Sequence, residues 1–106
     1  MKKLQLTAWE RIMLSQVLPQ GATLQNVATY LRILELLRLK EDERKAAGWQ
    51  EDKGTVTIQN IVIEAAITFE DADFAVLREC ALAWDRWPVA PQTMVLKERL
   101  DAAAAV

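Results

Sequence analysis

The chain has 106 residues, 52% of them hydrophobic and 26% charged, with a formal net charge of −2. That length suits one domain with a modest core that needs no disulfide or metal to hold it. With no histidine, one cysteine (Cys80) and one serine (Ser15), the chain lacks the side chains for Ser-His-Asp or Cys-His catalysis and for a zinc site.

No run approaches the roughly 18 uninterrupted apolar residues of a membrane span. The segment Met1-Lys2-Lys3-Leu4-Gln5-Leu6 has no signal-peptide h-region. A cytoplasmic protein without a membrane partner is therefore expected, and a lone cysteine agrees with a reducing compartment.

Charge is divided along the chain. Residues 1 to 40 carry six Lys/Arg against two acids, and residues 41 to 106 carry seven against thirteen. Such a split reads either as two segments that pair with each other or as a basic face for nucleic acid and an acidic face for a basic partner.

The first helix signal is Thr7-Ala8-Trp9-Glu10, a capping box in which the Thr7 hydroxyl and the Glu10 carboxylate satisfy amides at a helix start. Trp9, Met13 and Val17 then repeat at helical spacing to about Leu18. Pro19-Gln20-Gly21 breaks the helix, and Thr23 is placed to cap a second one running from Leu24 to about Leu39. The two are expected to form a helical hairpin.

The second helix is apolar on more than one face, through Leu24, Val27, Tyr30, Leu31, Ile33, Leu34, Leu36, Leu37 and Leu39. A single amphipathic stripe needs fewer, so the helix either lies centrally or meets another subunit. The run Lys40-Glu41-Asp42-Glu43-Arg44-Lys45-Ala46-Ala47 reads as a short solvated helix closed by Gly48.

After Trp49 the pattern changes to strands. Glu51-Asp52-Lys53-Gly54 is a turn, and Thr55-Val56-Thr57-Ile58 alternates β-branched residues, so a hairpin is expected. A third strand places Ile63, Ala65, Ile67 and Phe69 on one face; alternatively, Ile61-Val62-Ile63 continues the second strand.

Glu70-Asp71-Ala72-Asp73 opens a helix whose acidic start opposes its dipole, with Phe74, Leu77, Ala81 and Trp84 as its apolar stripe and an end by Trp87. Pro91 fits the first turn of a last helix carrying Met94, Val95, Leu96 and Leu100. The expected fold is α+β: a helical hairpin and short helix, a small three-stranded antiparallel sheet, and two C-terminal helices, in a single domain over residues 1 to 106.

The block Leu6-Thr7-Ala8-Trp9-Glu10-Arg11-Ile12-Met13-Leu14, followed by Leu18-Pro19-Gln20-Gly21 and a leucine-rich helix, resembles a family of small phage and prophage proteins. The similarity of pattern extends over nearly the whole chain, through the acidic run at Lys40 to Glu43 and the aromatic-led hairpin from Trp49. Glu10-Arg11 and Leu18-Pro19 are its most specific pieces. This chain departs from the pattern in opening its last helix at Ala90-Pro91 and in having four tryptophans. The resemblance implies a phage origin and, by association, an accessory protein that binds a protein of the host. It carries over no functional residues.

Cys80 sits beside the Leu77/Ala81/Trp84 stripe as a small core side chain, with a redox or intersubunit role as the alternative. Glu70, Asp71 and Asp73, with Glu64, are the best oxygen-ligand set for a hard cation, although helix-start charge explains them more simply. Trp84, Arg86 and Trp87 suggest an aromatic and cationic surface for a protein or a nucleotide.

The leading expectation is a non-enzymatic protein that binds a protein partner, as a homodimer and without cofactors or metal. Leu36, Leu39, Trp49, Arg86 and Trp87 are the candidate partner-binding residues. The alternatives are a nucleic-acid-binding regulator using Lys2, Lys3, Arg11, Arg32, Arg38 and Lys40, and an oligomeric nucleotide-binding protein.

Overall fold

A computed structural model describes residues 1–19, 21–57 and 64–105. In chain order the elements are β1 (Lys2–Thr7), α1 (Ala8–Val17), α2 (Leu24–Leu37), α3 (Glu41–Ala47), β2 (Gln50–Asp52), β3 (Thr55–Thr57), β4 (Glu64–Phe69), α4 (Asp71–Ala83) and α5 (Pro91–Ala105). The expected α+β class is found. The sheet differs from expectation.

Among the described residues there is no three-stranded sheet. β4 pairs antiparallel with β1 in a register that runs from Lys2 opposite Phe69 to Thr7 opposite Glu64. β2 and β3 form a separate two-stranded ladder. Burial explains the choice: β4 turns Ile67 and Phe69 inward, and β1 supplies the matching alternation with Leu4 and Leu6 buried and Lys3 and Gln5 exposed. Gln50, Glu51 and Asp52 of β2 are all exposed and have no apolar face to offer such a sheet. The expected strand face Ala65, Ile67 and Phe69 is correct in direction; Ile58, Ile61, Val62 and Ile63 lie outside the described residues.

Local chemistry sets several of the boundaries. Thr7 Oγ1 accepts from the Glu10 N–H at 3.1 Å, and Glu10 Oε1 accepts from the Thr7 N–H at 2.8 Å, so the capping box is complete. Gly48 ends α3 at φ 69°, left-handed backbone that costs glycine little. Lys53 and Gly54 both have positive φ, 51° and 80°, as a two-residue hairpin turn requires. Thr23 makes no side-chain cap, and only its carbonyl receives the Asn26 and Val27 amides.

The main core draws on six elements: Leu4 and Leu6 of β1, Leu14 and Val17 of α1, Ile33 and Leu37 of α2, Ile67 and Phe69 of β4, Phe74, Leu77 and Ala81 of α4, and Leu96 and Leu100 of α5. A smaller cluster joins Ala8, Leu39 and Ala47, with Ile12 and Trp49 packed against it. Leu39 reaches that cluster because α2 stops at Leu37 and Arg38 adopts extended backbone. No helix among the described residues is long and apolar enough to cross a membrane.

Candidate interaction surface

The pair Glu10-Arg11 divides the charged chemistry of the molecule in two directions. Both side chains are buried, at 2% and 4% exposure. Glu10 Oε1 faces Arg99 of α5 at 2.8 Å, and Arg99 also donates to the Gln5 carbonyl at 2.7 Å and to Glu64 at 2.6 Å. One guanidinium thereby ties α5 to β1, α1 and β4.

Arg11 points the other way. Its Nε donates to the Leu37 carbonyl at 2.9 Å, and its terminal nitrogens reach the Arg38 carbonyl and both Glu43 oxygens. A cation on the last carbonyls of α2 satisfies groups the helix itself leaves unpaired and opposes the negative end of the helix dipole. Burial pushes the Glu43 carboxyl up, but hydrogen bonds from Arg11 and from the Lys40 N–H outweigh it and hold Glu43 below its ordinary value.

Ion pairing across the two charge segments extends further. Arg32 forks onto the buried Asp73 at 3.0 and 3.2 Å, and the N-terminal ammonium lies 2.8 Å from Asp71. Arg11, Arg32 and the amino terminus thus answer acids from the second segment. The expected nucleic-acid set is consequently dispersed: Arg11 is buried, Arg32 is bound to Asp73, and Arg38 lies 4.0 Å from Glu35. Lys3 and Lys40 are exposed on separate elements and Lys2 is half-buried.

The same pairs explain the acidic start of α4. Asp71, Asp73 and Glu64 each face a different cation. Among the described residues no three carboxylates or thiols converge as metal ligands. Cys80 is half-buried against the core, and burial, with the Glu79 charge adding to it, pushes its thiol up and keeps it protonated at neutral pH.

The tryptophans are shared between packing and surface. Trp84 and Trp87 meet edge to face with centroids 4.9 Å apart, and Trp87 Nε1 donates to the Ala81 carbonyl at 2.8 Å near the end of α4. Trp87, half-buried, also lines an apolar cleft of about 230 Å³ with Leu82 and Met94. Arg86 is exposed. Trp49 is half-buried beneath the Arg44 guanidinium, 4.7 Å from its ring centre, and Arg44 Nε is buried without a hydrogen-bond partner.

Of the five candidate partner-binding residues, Leu39 is the most enclosed: at 6% exposure it packs on Ala8 and Ala47 and reaches the surface only in the wall of a pocket beside α2. Leu36 is exposed at 38%, on a different face of α2 from Leu24 and Leu31. Leu24, Val27 and Leu31 lie at i, i+3 and i+7 along one face of the helix, at 93%, 37% and 60% exposure. Leu34 continues the spacing to give the a/d pattern of a coiled-coil seam.

A signal for these residues was present in the sequence. The twenty residues from Ile12 to Leu31 contain no charged side chain, in a chain that is 26% charged. From Gly21 through Ala28 every residue is exposed. Exposed surface without charge is the composition of an interface centre. Beside it, α2, α1 and the segment after α3 enclose a pocket of about 310 Å³ lined by Ile12, Leu31, Leu34, Leu39, Arg44 and Trp49.

Compared with known proteins, the chain matches no family model, no curated protein sequence and no solved structure.

Proposed function

We propose that this chain is a non-enzymatic accessory protein of phage type that acts by binding another protein through the exposed face of α2. The observation that carries this reading is the uncharged seam Leu24, Val27 and Leu31, standing in solvent on a helix whose other face is in the core. Leaving Leu24 and Leu31 exposed forgoes about 1.5–3 kcal/mol of burial for each side chain, which a partner recovers. The pocket beside the seam, with Trp49 and Arg44 in its wall and Glu35 and Arg38 at its edge, has the apolar centre and polar rim of a protein contact. Among the described residues no comparable grouping supports a nucleic-acid surface.

A photo-crosslinking residue placed at Leu24, with a control at the exposed Glu98 of α5, tests the reading in cells producing the protein. Protein adducts are expected from position 24 and not from position 98. Absence of adducts at 24, or equal yields at both positions, would count against a protein-binding role for α2.

A further inference from the structure

The α2 face carries a protruding side chain and a recess a fixed distance apart. Leu24, 93% exposed, stands at the N-terminal end of the seam. The pocket of about 310 Å³ opens beside Leu31 and Leu34. Leu24 and Leu34 are ten residues apart, or about 15 Å along the helix at 1.5 Å per residue.

A knob on a helix and a hole beside the same helix are self-complementary under a two-fold axis midway between them. We propose that the partner of this surface is a second copy of the chain, with the two α2 helices antiparallel about an axis near Thr29. Leu24 of each copy then enters the pocket beside Leu34 of the other. The same axis sets Val27 opposite Leu31 and places the small Ala28 near the crossing point, where the backbones must approach.

Shape rather than charge selects this occupant. Each copy carries a net −2, so there is no long-range attraction between copies, and an acidic face would repel its own copy. The seam avoids this because no charged residue lies between Leu24 and Leu31. In the antiparallel register Arg32, held by Asp73 of its own chain, falls opposite Asn26, and Glu35 falls opposite Thr23. No like charges meet. A contact built on one helix is smaller than the roughly 1,600 Å² of a standard interface, which places it among the weak, reversible associations.

This pairing rests on the protein-binding reading of α2, and sedimentation equilibrium of the full chain over about 5 to 500 µM separates the two. The wild type is expected to move from 12.0 kDa toward twice that mass. Leu24→Glu, at an exposed site where circular dichroism should be unchanged, should weaken association about tenfold or more. In a Cys80→Ala background, Ala28→Cys should cross-link to itself with a bis-maleimide too short to span the ~15 Å between the two Leu24 positions, whereas Leu24→Cys should not.

A wild type that stays monomeric, a Leu24→Glu variant that associates normally, or equal cross-linking at 24 and 28 each overturns the antiparallel pairing. If the wild type is monomeric while photo-crosslinking at Leu24 captures other proteins, self-pairing fails and the protein-binding reading survives. Monomer without adducts removes both.

Discussion

The two halves of α2 are built from similar side chains and end in opposite surroundings. Toward the C-terminus, Ile33 and Leu37 are buried and the last carbonyls are held by Arg11, itself buried and paired with Glu43. Toward the N-terminus, Leu24, Val27 and Leu31 stand in solvent, and Thr23 provides no side-chain cap. Leucine is therefore uninformative alone. What separates the halves is the neighbouring chain: α1, β4 and α4 all pack on α2, and the positions buried on it are Ile33 and Leu37.

The C-terminal half of α2 depends most on Arg11. Replacing it by methionine leaves the Leu37 and Arg38 carbonyls without their donor and Glu43 with the Lys40 N–H alone, and at about 1–3 kcal/mol for each unmet buried acceptor the loss is several kcal/mol. Urea denaturation should show the midpoint falling by the corresponding amount, with little native protein remaining if the domain has ordinary stability.

Leu37→Ala should follow at about 2–5 kcal/mol, the range for a large-to-small change in a filled core. Leu24→Ala, the same chemical change on the other half, should lie within about 0.5 kcal/mol of wild type at concentrations where the chain is monomeric. Equal losses at 24 and 37 would show that the N-terminal half is buried in the monomer, and the proposed surface would have to be abandoned.

Acid should sharpen the difference further. Glu43 is held below its ordinary value by Arg11 and the Lys40 N–H against the opposing effect of burial, and Asp101 is held down by Lys97 and then Arg78. Both carboxyls are more acidic folded than unfolded, so below about pH 4 the unfolded chain binds more protons. Their stabilisation is complete above the unfolded values and disappears as pH falls through the folded ones. Melting temperature should consequently drop between about pH 5 and pH 3, with a shallower drop in Arg11→Met. The uncharged seam has nothing to titrate, and Leu24→Ala should follow the wild-type profile.

The smallest expected effect concerns Cys80. Because burial and Glu79 raise its thiol, alkylation by iodoacetamide at neutral pH should be slower than for a small free thiol, and Cys80→Ala should leave association unchanged. Loss of self-association in that variant would shift the contact from α2 to α4.

Features decided within a few residues were legible from the chain. The Thr7/Glu10 box, the glycine closing α3 and the Lys53-Gly54 turn follow from backbone geometry and hydrogen bonds at short range. The β1 strand was not legible, because Leu4 and Leu6 give only two beats of alternation and their partner lies some sixty residues away. The three-stranded sheet failed for the same reason: proximity in sequence favoured the hairpin, while the core needed apolar alternation on both partners.

At the candidate site, the surplus of apolar residues on α2 was visible, but which of them face solvent was not. Leu39 illustrates this: a helix continued by two residues would have displayed it, and the break after Leu37 folds it inward. Glu10-Arg11 shows the same division. Its place at a helix start was readable, whereas its partners Arg99 and Glu43 come from distant elements.

The order of helices, the local caps and turns, and the lack of histidine-based chemistry follow from residue type or from neighbours a few positions apart, and so are written in the chain. Which strand completes β4, which ionisable groups answer one another, and which half of α2 is left open depend on how distant segments pack. Those outcomes turn on burial, and burial is a property of what the rest of the chain brings to a surface.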